Sequence, residues 1–256
     1  MELKKAKIIA ITSSKGGVGK TIFITNLAGI YEKLGKKVLL IDLDLYTGSI
    51  STLLNIHSDK TIYNFCDDLS FNRHSDTNTY LTKYSDFIDV LPSCKDPRQG
   101  SKINTQLIEK VVYTYINNYD VILIDNSHLP LPSALLSLDL ADIILYMMSN
   151  DPMDLANSKN ALAIYSNIHQ SKIKVILNNS FNLNKNYFSL YDIKDYLGHK
   201  LNYIMNSSMF IKNIDQYIME GKILTLSDSL HFDNKKDLDW YLNLAKKLGD
   251  FDGKEE

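Results

Sequence analysis

The sequence has few of the features that mark disulfide-bonded, metal-cluster or membrane-spanning proteins. It has 256 residues and two cysteines, Cys66 and Cys94, which lie far apart and form no C-x-x-C pair. This spacing argues against a disulfide framework, a zinc site and an iron–sulfur ligand set. No apolar run approaches the roughly 20 residues of a membrane-spanning helix, and the N-terminal apolar stretch is too short for a signal peptide. We therefore expect a cytoplasmic protein.

The sequence also has no large excess of charge of either sign. The 28 Lys and Arg residues nearly balance the 30 Asp and Glu residues, for a net charge of −2. No strong overall field therefore draws the chain to nucleic acid or to anionic lipid. Because the sequence also lacks an internal repeat and a proline- or glycine-rich linker, we expect one domain over residues 1–249. The polar residues 250–256 predict a disordered tail.

Apolar runs rich in β-branched residues recur along the chain, and stretches with helical spacing lie between most of them. The runs are AKIIAITS, KKVLLIDLD, DFIDVLPS, YDVILIDNS, DIILYMMSN, KIKVILNNS and LNYIM. The helical stretches are residues 20–34, 104–118, 152–168 and 209–220. Continuous apolar runs are typical of strands buried on both faces. The alternation predicts an α/β fold with a doubly wound, mostly parallel sheet flanked by helices.

Two further regions predict local structure. Residues 55–86 are polar and predict irregular surface excursions between strands. Residues 234–248 place apolar side chains on one helical face, which allows either packing on the core or contact with a membrane. Acidic residues in and after this segment would repel anionic lipid, so packing on the core is the favoured interpretation.

The most informative stretch is SSKGGVGKTI, residues 13–22, which directly follows the first apolar run. Its glycines allow successive backbone amides to point inward at phosphate oxygens, and the helix that follows adds a partial positive charge. In the pattern G-x-x-x-x-G-K-[ST], Lys20 reaches the β- and γ-phosphates and the Thr21 hydroxyl binds magnesium. Ser14 stands where the pattern has its first glycine, and Lys15 adds a second lysine.

Several segments together resemble the ParA/MinD family of P-loop ATPases. KGGVGKT resembles its deviant Walker A motif, LLIDLDLYTGSISTLL its D-x-D motif, and YDVILIDNS its Walker B strand. VILNN resembles the strand whose terminal asparagine contacts adenine, and IMEGKIL resembles the final helix. These segments extend over residues 7–225. The resemblance implies an ATPase that uses ATP and Mg²⁺ and that hydrolyses ATP slowly.

The resemblance also assigns roles to individual residues. The nucleotide-binding set is Lys15, Gly16, Gly17, Val18, Gly19, Lys20, Thr21, Ile22 and Asn178. The catalytic set is Lys15, Lys20 and Asp44, with Asp44 orienting the attacking water. The magnesium set is Thr21, Asp42 and Asp125. Independently of the family, Asp42, Asp44 and Asp125 follow apolar runs, and ligands of open α/β sheets bind at the carboxyl ends of strands.

Lys15 resembles the family's signature lysine, which reaches across a nucleotide-sandwich dimer to the phosphates bound by the other subunit. The resemblance therefore implies an ATP-dependent homodimer. A positive charge supplied in this way would act as an arginine finger does in other phosphoryl-transfer proteins.

Four positions depart from the family pattern. Ser14 is acceptable if the turn there is not left-handed. Ile22 replaces a second threonine and removes a hydroxyl contact to the α-phosphate, and Met205 replaces a proline beside the base. His128 lies where the Walker B loop often has proline, and it either senses phosphate or only makes hydrogen bonds within the loop.

Within the family, the segments DLDLYTGSISTLLNI, VLPSCKDPRQ and LDLADIILYMMSNDPMDLANSKNAL most resemble the CpaE/TadZ group. That group localises Tad-type pilus assembly machinery, so the implied partner is a protein of a pilus or polar assembly. The alternatives are a ParA-like DNA-partitioning ATPase, a positioning ATPase of the MinD or flagellar-number type, and an ATP-binding scaffold with negligible hydrolysis. The slightly acidic balance of charge does not favour nucleic acid as a partner.

Overall fold

The described residues form a sheet of eight strands. The computed structural model describes residues 5–73, 76–169, 171–180, 188–227 and 235–249. The strands are β1 Lys7–Thr12, β2 Val38–Leu43, β3 Thr82–Lys83, β4 Ile88–Leu91, β5 Val121–Asn126, β6 Ile143–Ser149, β7 Ile173–Asn178 and β8 Leu201–Met205. Each of the seven apolar runs contains one strand. The added strand, β3, is only two residues long.

The strand order across the sheet is β3-β4-β2-β5-β1-β6-β7-β8. All neighbouring strands pair in parallel except β3 and β4, which pair antiparallel. Later strands lie on both sides of β1: β5, β2, β4 and β3 on one side, and β6, β7 and β8 on the other. This is the arrangement of a doubly wound sheet. The predicted fold class is therefore confirmed.

Helices cover both faces of this sheet. Within the described residues they are α1 Lys20–Lys33, α2 Ser49–Leu53, α3 Ile62–Ser70, α4 Pro97–Gly100, α5 Thr105–Tyr115, α6 Pro132–Leu140, α7 Pro152–His169, α8 Leu190–Leu197, α9 Ile214–Glu220 and α10 Lys235–Gly249. Side chains of β1 alternate between two apolar clusters, with Ile9 and Ile11 in one and Ile8 and Ala10 in the other. Since both faces of the strand are buried, its continuous apolar sequence is explained.

Two helix predictions need correction. Residues 55–86 were expected to be irregular, but α3 lies within them and buries Ile62, Phe65 and Cys66. The Thr61 and Asn64 side chains form a capping box at its start, which fixes where this short helix begins. The helix expected over 209–220 begins only at Ile214.

The apolar face of α10 packs on the core, as favoured from the sequence. Tyr241, Leu244 and Leu248 are buried in the same cluster as α1. The Tyr241 ring lies 5.5 Å from that of Phe23, and the Tyr31 hydroxyl donates to the Ala245 carbonyl. Among the described helices, none is long and apolar enough to cross a bilayer. Residues 250–256 lie outside the described residues.

Candidate nucleotide-binding site

The glycine-rich loop between β1 and α1 forms the centre of the site. Gly17 and Gly19 have φ angles of 77° and 97°, a region that residues with a Cβ seldom adopt. Gly19 leads directly into α1, and no side chain caps the helix there. Its first backbone amides are therefore available to an anion at the positive end of the helix.

The Lys20 side chain lies beneath this loop. Its Nζ donates to Ser13 Oγ at 3.0 Å, and the Ser13 hydroxyl donates to the Lys15 carbonyl at 2.7 Å. Burial lowers the pKa of Lys20, while the nearby carboxylate of Asp125 opposes that shift. The ammonium is thus held next to the glycine loop, where it would contact bound phosphates.

Thr21 and Asp125 lie together at the start of α1 and the carboxyl end of β5. Thr21 Oγ1 donates to Asp125 Oδ2 at 2.6 Å. Asp125 Oδ1 is buried and has no hydrogen-bond partner among the described residues, and burial raises the pKa of this carboxyl to about 6. A hydroxyl oxygen beside an unsatisfied carboxylate oxygen fits Mg²⁺, which prefers oxygen ligands and keeps several of its waters.

Asp42 lies directly opposite Asp125 in the register of β2 and β5, but its carboxylate is used differently. Asp42 Oδ1 accepts the Asp44 amide at 3.0 Å and Oδ2 accepts the Ile50 amide at 2.9 Å. The residue is fully buried, and burial, with the charge of Asp125, raises its pKa well above the usual range. The sequence assigned Asp42 to the magnesium set; this geometry instead favours a role in holding the loop after β2.

That loop carries Asp44, the predicted water-orienting residue. Asp44 Oδ2 accepts the Thr47 hydroxyl at 2.5 Å and the Ser49 hydroxyl at 3.4 Å. The Ser93 hydroxyl donates to the Asp44 carbonyl at 2.9 Å. Thr47 and Ser49 were not singled out from the sequence, although hydroxyls closely following D-x-D were a visible signal.

A cavity of about 530 Å³ lies between the glycine loop and the loops that follow β2 and β5. Its lining includes Gly16, Gly17 and residues 19–22 from the glycine loop and the start of α1, Asp44 with Thr47 and Ser49, and residues 126–129 after β5. The structure therefore brings the predicted Lys20, Thr21 and Asp44 together at one cavity. Neither Asp42 nor Asp125 is part of its lining, although Asp125 is hydrogen-bonded to Thr21, which is.

A second, mainly apolar pocket adjoins the first and shares Gly19 and Ile22 with it. It is lined further by Phe23, Met205 and Asn178. Asn178 Nδ2 donates to the Val18 carbonyl at 2.9 Å, and its Oδ1 accepts the amide and hydroxyl of Ser180. Asn178, predicted to contact adenine, thus lies at an apolar pocket but also fixes the glycine loop to β7.

The two positions that deviate at the mouth of the loop both contact the start of α7. Lys15 Nζ donates to Asp151 Oδ1 at 3.1 Å, and Asp151 also accepts the amides of Met153 and Asp154. Ser14 Oγ lies 3.3 Å from Asp154 Oδ1 and 3.2 Å from Ser158 Oγ.

Ser14 takes a conformation that does not need glycine, because the only described non-glycine residues with positive φ are Asn55 and Asn72. The expectation for its turn is therefore confirmed. Asp154 and Ser158 were not identified from the sequence. They lie about 140 residues further along the chain, and only the fold places them beside the loop.

The glycine loop after β1, the hydroxyl and carboxylate beside it and the doubly wound sheet define a nucleotide-binding protein of the P-loop class. Residues 6–174 match the model of the AAA domain family designated AAA_31. This match covers well over half of the chain, which therefore belongs to that family. Its relatives and structural neighbours include MinD and ParA proteins, so the resemblance to ParA/MinD P-loop proteins is confirmed at that level.

Among curated proteins, the chain is 33% identical to a septum site-determining protein MinD from Synechocystis over 119 residues, which is 46% of this chain and 44% of that protein. The chain spans about half the length of the curated relatives that it matches.

Solved structures extend the likeness to nearly the whole chain. A ParA family ATPase from Chlorobium tepidum has a TM-score of 0.79 at 16% identity, covering 94% of this chain and 98% of that one. The MinD protein from Pyrococcus horikoshii, solved with Mg-ADP, has a TM-score of 0.76 at 20% identity and covers 97% and 98%. At these identities the likeness establishes the fold.

Proposed function

We propose that this protein is an ATP-dependent switch that binds ATP with Mg²⁺, dimerises around it and hydrolyses it slowly. The observation that carries this proposal is the cavity at the glycine loop. There, uncapped α1 amides, the Lys20 ammonium and the Thr21 hydroxyl, which is hydrogen-bonded to Asp125, border a space of about 530 Å³. The Mg-ADP held by the Pyrococcus MinD structure supports the same choice of ligand.

Different residues of the chain would have different roles in this activity. The amides of residues 16–21 and Lys20 would bind the phosphates and orient them. Thr21 and Asp125 would hold Mg²⁺, directly and through water, and the ion would neutralise charge on the phosphates. Asp44, freed from the Thr47 hydroxyl, would orient the attacking water. We place Asp42 outside this set, as the residue that positions the Asp44 loop.

Dimerisation is proposed through Lys15. Its side chain is 43% exposed and, among the described residues, is paired with Asp151, so it can be withdrawn toward a second copy at small cost. Two copies related by a two-fold axis would each place Lys15 at the other's phosphates, an isologous arrangement. ATP would then bind the dimer better than the monomer and drive association by linkage.

The test compares Asp44→Ala with the double variant Lys15→Ala/Asp44→Ala, both holding ATP unhydrolysed, by light scattering with ATP and Mg²⁺. We expect the double variant to dimerise less tightly by at least ~1.5–3 kcal/mol, the strength of a charge-assisted hydrogen bond. Lys110→Ala, an exposed lysine on α5, is the matched control and should leave dimerisation unchanged. Equal dimerisation of the two test proteins would contradict the role of Lys15.

Nucleotide binding is measured separately, so that a failure to bind is not mistaken for a failure to dimerise. At ATP a hundredfold above its dissociation constant, binding should stabilise the fold by roughly 2.7 kcal/mol. Lys20→Ala should largely abolish the nucleotide-dependent rise in melting temperature. An unchanged rise in Lys20→Ala would remove the glycine loop from the proposal.

We further propose that the switch positions a cellular assembly, with Tad-type pilus localisation as the particular role. The segment resemblances to the CpaE/TadZ group support this choice, and the positioning and partition roles named for similar proteins support its general kind. Genes for a pilus secretion ATPase and prepilins beside this one would support the pilus role. Salt-dependent retention on DNA would instead favour partitioning.

A further inference from the structure

Asp154, in the first turn of α7, is a fully buried carboxylate that has no role in the proposed activity. Its Oδ2 accepts the backbone amide of Ser149 at 2.6 Å and the Ser149 hydroxyl at 2.8 Å. Its Oδ1 accepts the Ser14 hydroxyl at 3.3 Å, and the Ser158 hydroxyl lies 3.5 Å away. A buried carboxylate costs free energy unless donors satisfy it. The Ser14 hydroxyl is therefore one of the few groups that stabilise Asp154 in this position.

Ser14 stands where the phosphate-loop pattern has its first glycine, so it adds a side chain that the pattern lacks. Its hydroxyl lies 3.2 Å from Ser158 Oγ as well as 3.3 Å from Asp154. The buried Tyr146 hydroxyl lies beside both serines: burial raises the pKa of Tyr146, and the two serines oppose that shift. Polar side chains from β6, α7 and the loop thus form one cluster at the start of the glycine loop.

Side chains from other elements therefore hold the glycine loop near both of its ends. Near its far end, Asn178 Nδ2 donates to the Val18 carbonyl at 2.9 Å. At its near end, the bond from Ser14 to Asp154 attaches the loop to α7. Gly17, whose φ is 77°, lies between these points. Because glycine leaves the backbone most free, fixed ends limit the shapes of the loop and arrange its amides before a phosphate binds.

The neighbouring contact between Lys15 and Asp151 differs in burial. Those two side chains are 43% and 37% exposed, whereas Asp154 is fully buried. Asp151 also accepts the amides of Met153 and Asp154, and these bonds do not need the lysine. Lys15 can therefore be withdrawn while Ser14, the residue before it, remains attached to α7.

We propose that Asp154 is a positioning residue of the nucleotide site, which acts through the Ser14 hydroxyl to hold the glycine loop in the shape that binds phosphate. This inference rests on the proposed function, because it needs a nucleotide at the loop. Asp154 does not line the cavity, so its effect on the nucleotide is indirect. It is also separate from the contact proposed for Lys15 across a dimer.

The experiment measures dissociation constants for ADP with Mg²⁺ by isothermal titration calorimetry. ADP is used because it needs the phosphate-binding loop but does not drive the proposed ATP-dependent dimerisation. Wild type is compared with Ser14→Ala, Ser14→Thr, Asp154→Asn and the double variant Ser14→Ala/Asp154→Asn. Ser14→Thr keeps the hydroxyl, and the backbone accepts it because Ser14 does not have a positive φ.

Ser85→Ala is the matched control. The Ser85 hydroxyl likewise donates to a carboxylate, that of Glu32, at 2.6 Å. It precedes β4 and so lies at the opposite end of the parallel strands from the glycine loop. A loss of stability alone would therefore act alike in Ser14→Ala and Ser85→Ala. Melting temperatures without nucleotide check that each variant folds.

We expect Ser14→Ala to weaken ADP binding about 10-fold, because the loop must then be ordered on binding, and Ser14→Thr and Ser85→Ala to change it less than about 2-fold. Asp154→Asn, which replaces one carboxylate oxygen by an amide nitrogen, should weaken ADP binding about 3–10-fold. If Asp154 acts through Ser14, adding Asp154→Asn to Ser14→Ala should weaken it less than about 2-fold further.

A Ser14→Ala variant that binds ADP as tightly as wild type would overturn the inference, and so would losses that multiply in the double variant. An equal loss in Ser85→Ala would show an effect of general stability and would overturn it as well. If Asp154→Asn does not fold, the comparison of Ser14→Ala with Ser14→Thr still decides. A wild-type protein that does not bind ADP would overturn the proposed function and this inference with it, so the wild type tells the two failures apart.

Discussion

Asp42 and Asp125 occupy matching places on neighbouring strands, yet the structure uses them in opposite ways. They face each other in the register of β2 and β5 and both are buried. Burial raises the pKa of each. Asp42 has both oxygens bonded to backbone amides, whereas Asp125 has one oxygen on the Thr21 hydroxyl and the other without a partner among the described residues.

The difference teaches that burial alone does not mark a ligand-binding carboxylate. A buried oxygen left without a donor costs free energy in the nucleotide-free protein, and this cost is recovered when a ligand supplies a partner. Both oxygens of Asp42 already accept backbone amides, so a ligand has no missing partner to supply there. We therefore expect ligands to act on Asp125 and loop stability to depend on Asp42, and three experiments test that division.

The largest effect concerns the pH dependence of stability. The pKa of Asp125 rises from 3.8 unfolded to about 6 folded, so the folded state binds its proton more tightly. Stability is therefore retained below pH 3.8 and lost as the pH rises through 6, by about 3 kcal/mol at ~1.4 kcal/mol per pKa unit. Urea unfolding between pH 4.5 and 7 should show about 2 kcal/mol of this fall in the nucleotide-free wild type and a smaller fall in Asp125→Asn.

ATP with Mg²⁺ should flatten the same part of the wild-type profile, because the Asp125 carboxylate then faces a cation. The part of the pH dependence that comes from Asp42, measured as the part that Asp42→Asn removes, should remain when the ligand is present. If both variants respond to the ligand alike, the two carboxylates are equivalent and the comparison between them fails.

The second effect concerns magnesium. Removing a group that supports a bound metal typically costs 10–100-fold in metal affinity. We expect Asp125→Asn to reduce by this factor the gain in ATP affinity that Mg²⁺ gives, measured by titrating Mg²⁺ at fixed nucleotide. Asp42→Asn is the matched control and should change the gain less than about 3-fold. A larger effect at Asp42 would return it to the magnesium set.

The smallest effect is local to the loop after β2. In Asp42→Asn, one of the two amides loses its acceptor, because an amide side chain offers a single oxygen. We expect amide hydrogen exchange at Asp44 or Ile50 to become about 5–30-fold faster, equivalent to ~1–2 kcal/mol. Asp125→Asn should leave both amides unchanged, and faster exchange there would show that the two strand ends are not independent.

Much of this architecture could be predicted from the sequence, because its determinants are local. Each apolar run is a strand, and the glycine loop required only the order strand, loop, helix. The resemblance implied one magnesium set containing Thr21 and Asp125, and their side chains are hydrogen-bonded in the structure. The short helix α3 was missed because only Ile62, Phe65 and Cys66 mark its buried face in an otherwise polar region.

Other features depend on tertiary contacts that spacing does not encode. Whether Asp42 is a ligand or an anchor depends on the Ile50 amide, which turns back onto it through a loop. The partner of Lys15 lies 136 residues away, and the same fold places Asp154 beneath Ser14. A sequence pattern identifies the residue types at a site. Which carboxylate oxygens still lack a hydrogen-bond donor, and are therefore free for a ligand, is known only from the folded structure.

The ion pair between Lys15 and Asp151 is a contact whose strength depends on the ionic strength of the solution. Its side chains are 43% and 37% exposed, so dissolved ions reach both, and at physiological salt charges are screened over about 8 Å. Asp151 stays ionised, because the amide of Asp154 and then Lys15 lower its pKa. Salt thus weakens the hold of Asp151 on Lys15 while Asp151 remains ionised, and the surrounding electrolyte sets how readily the lysine is released.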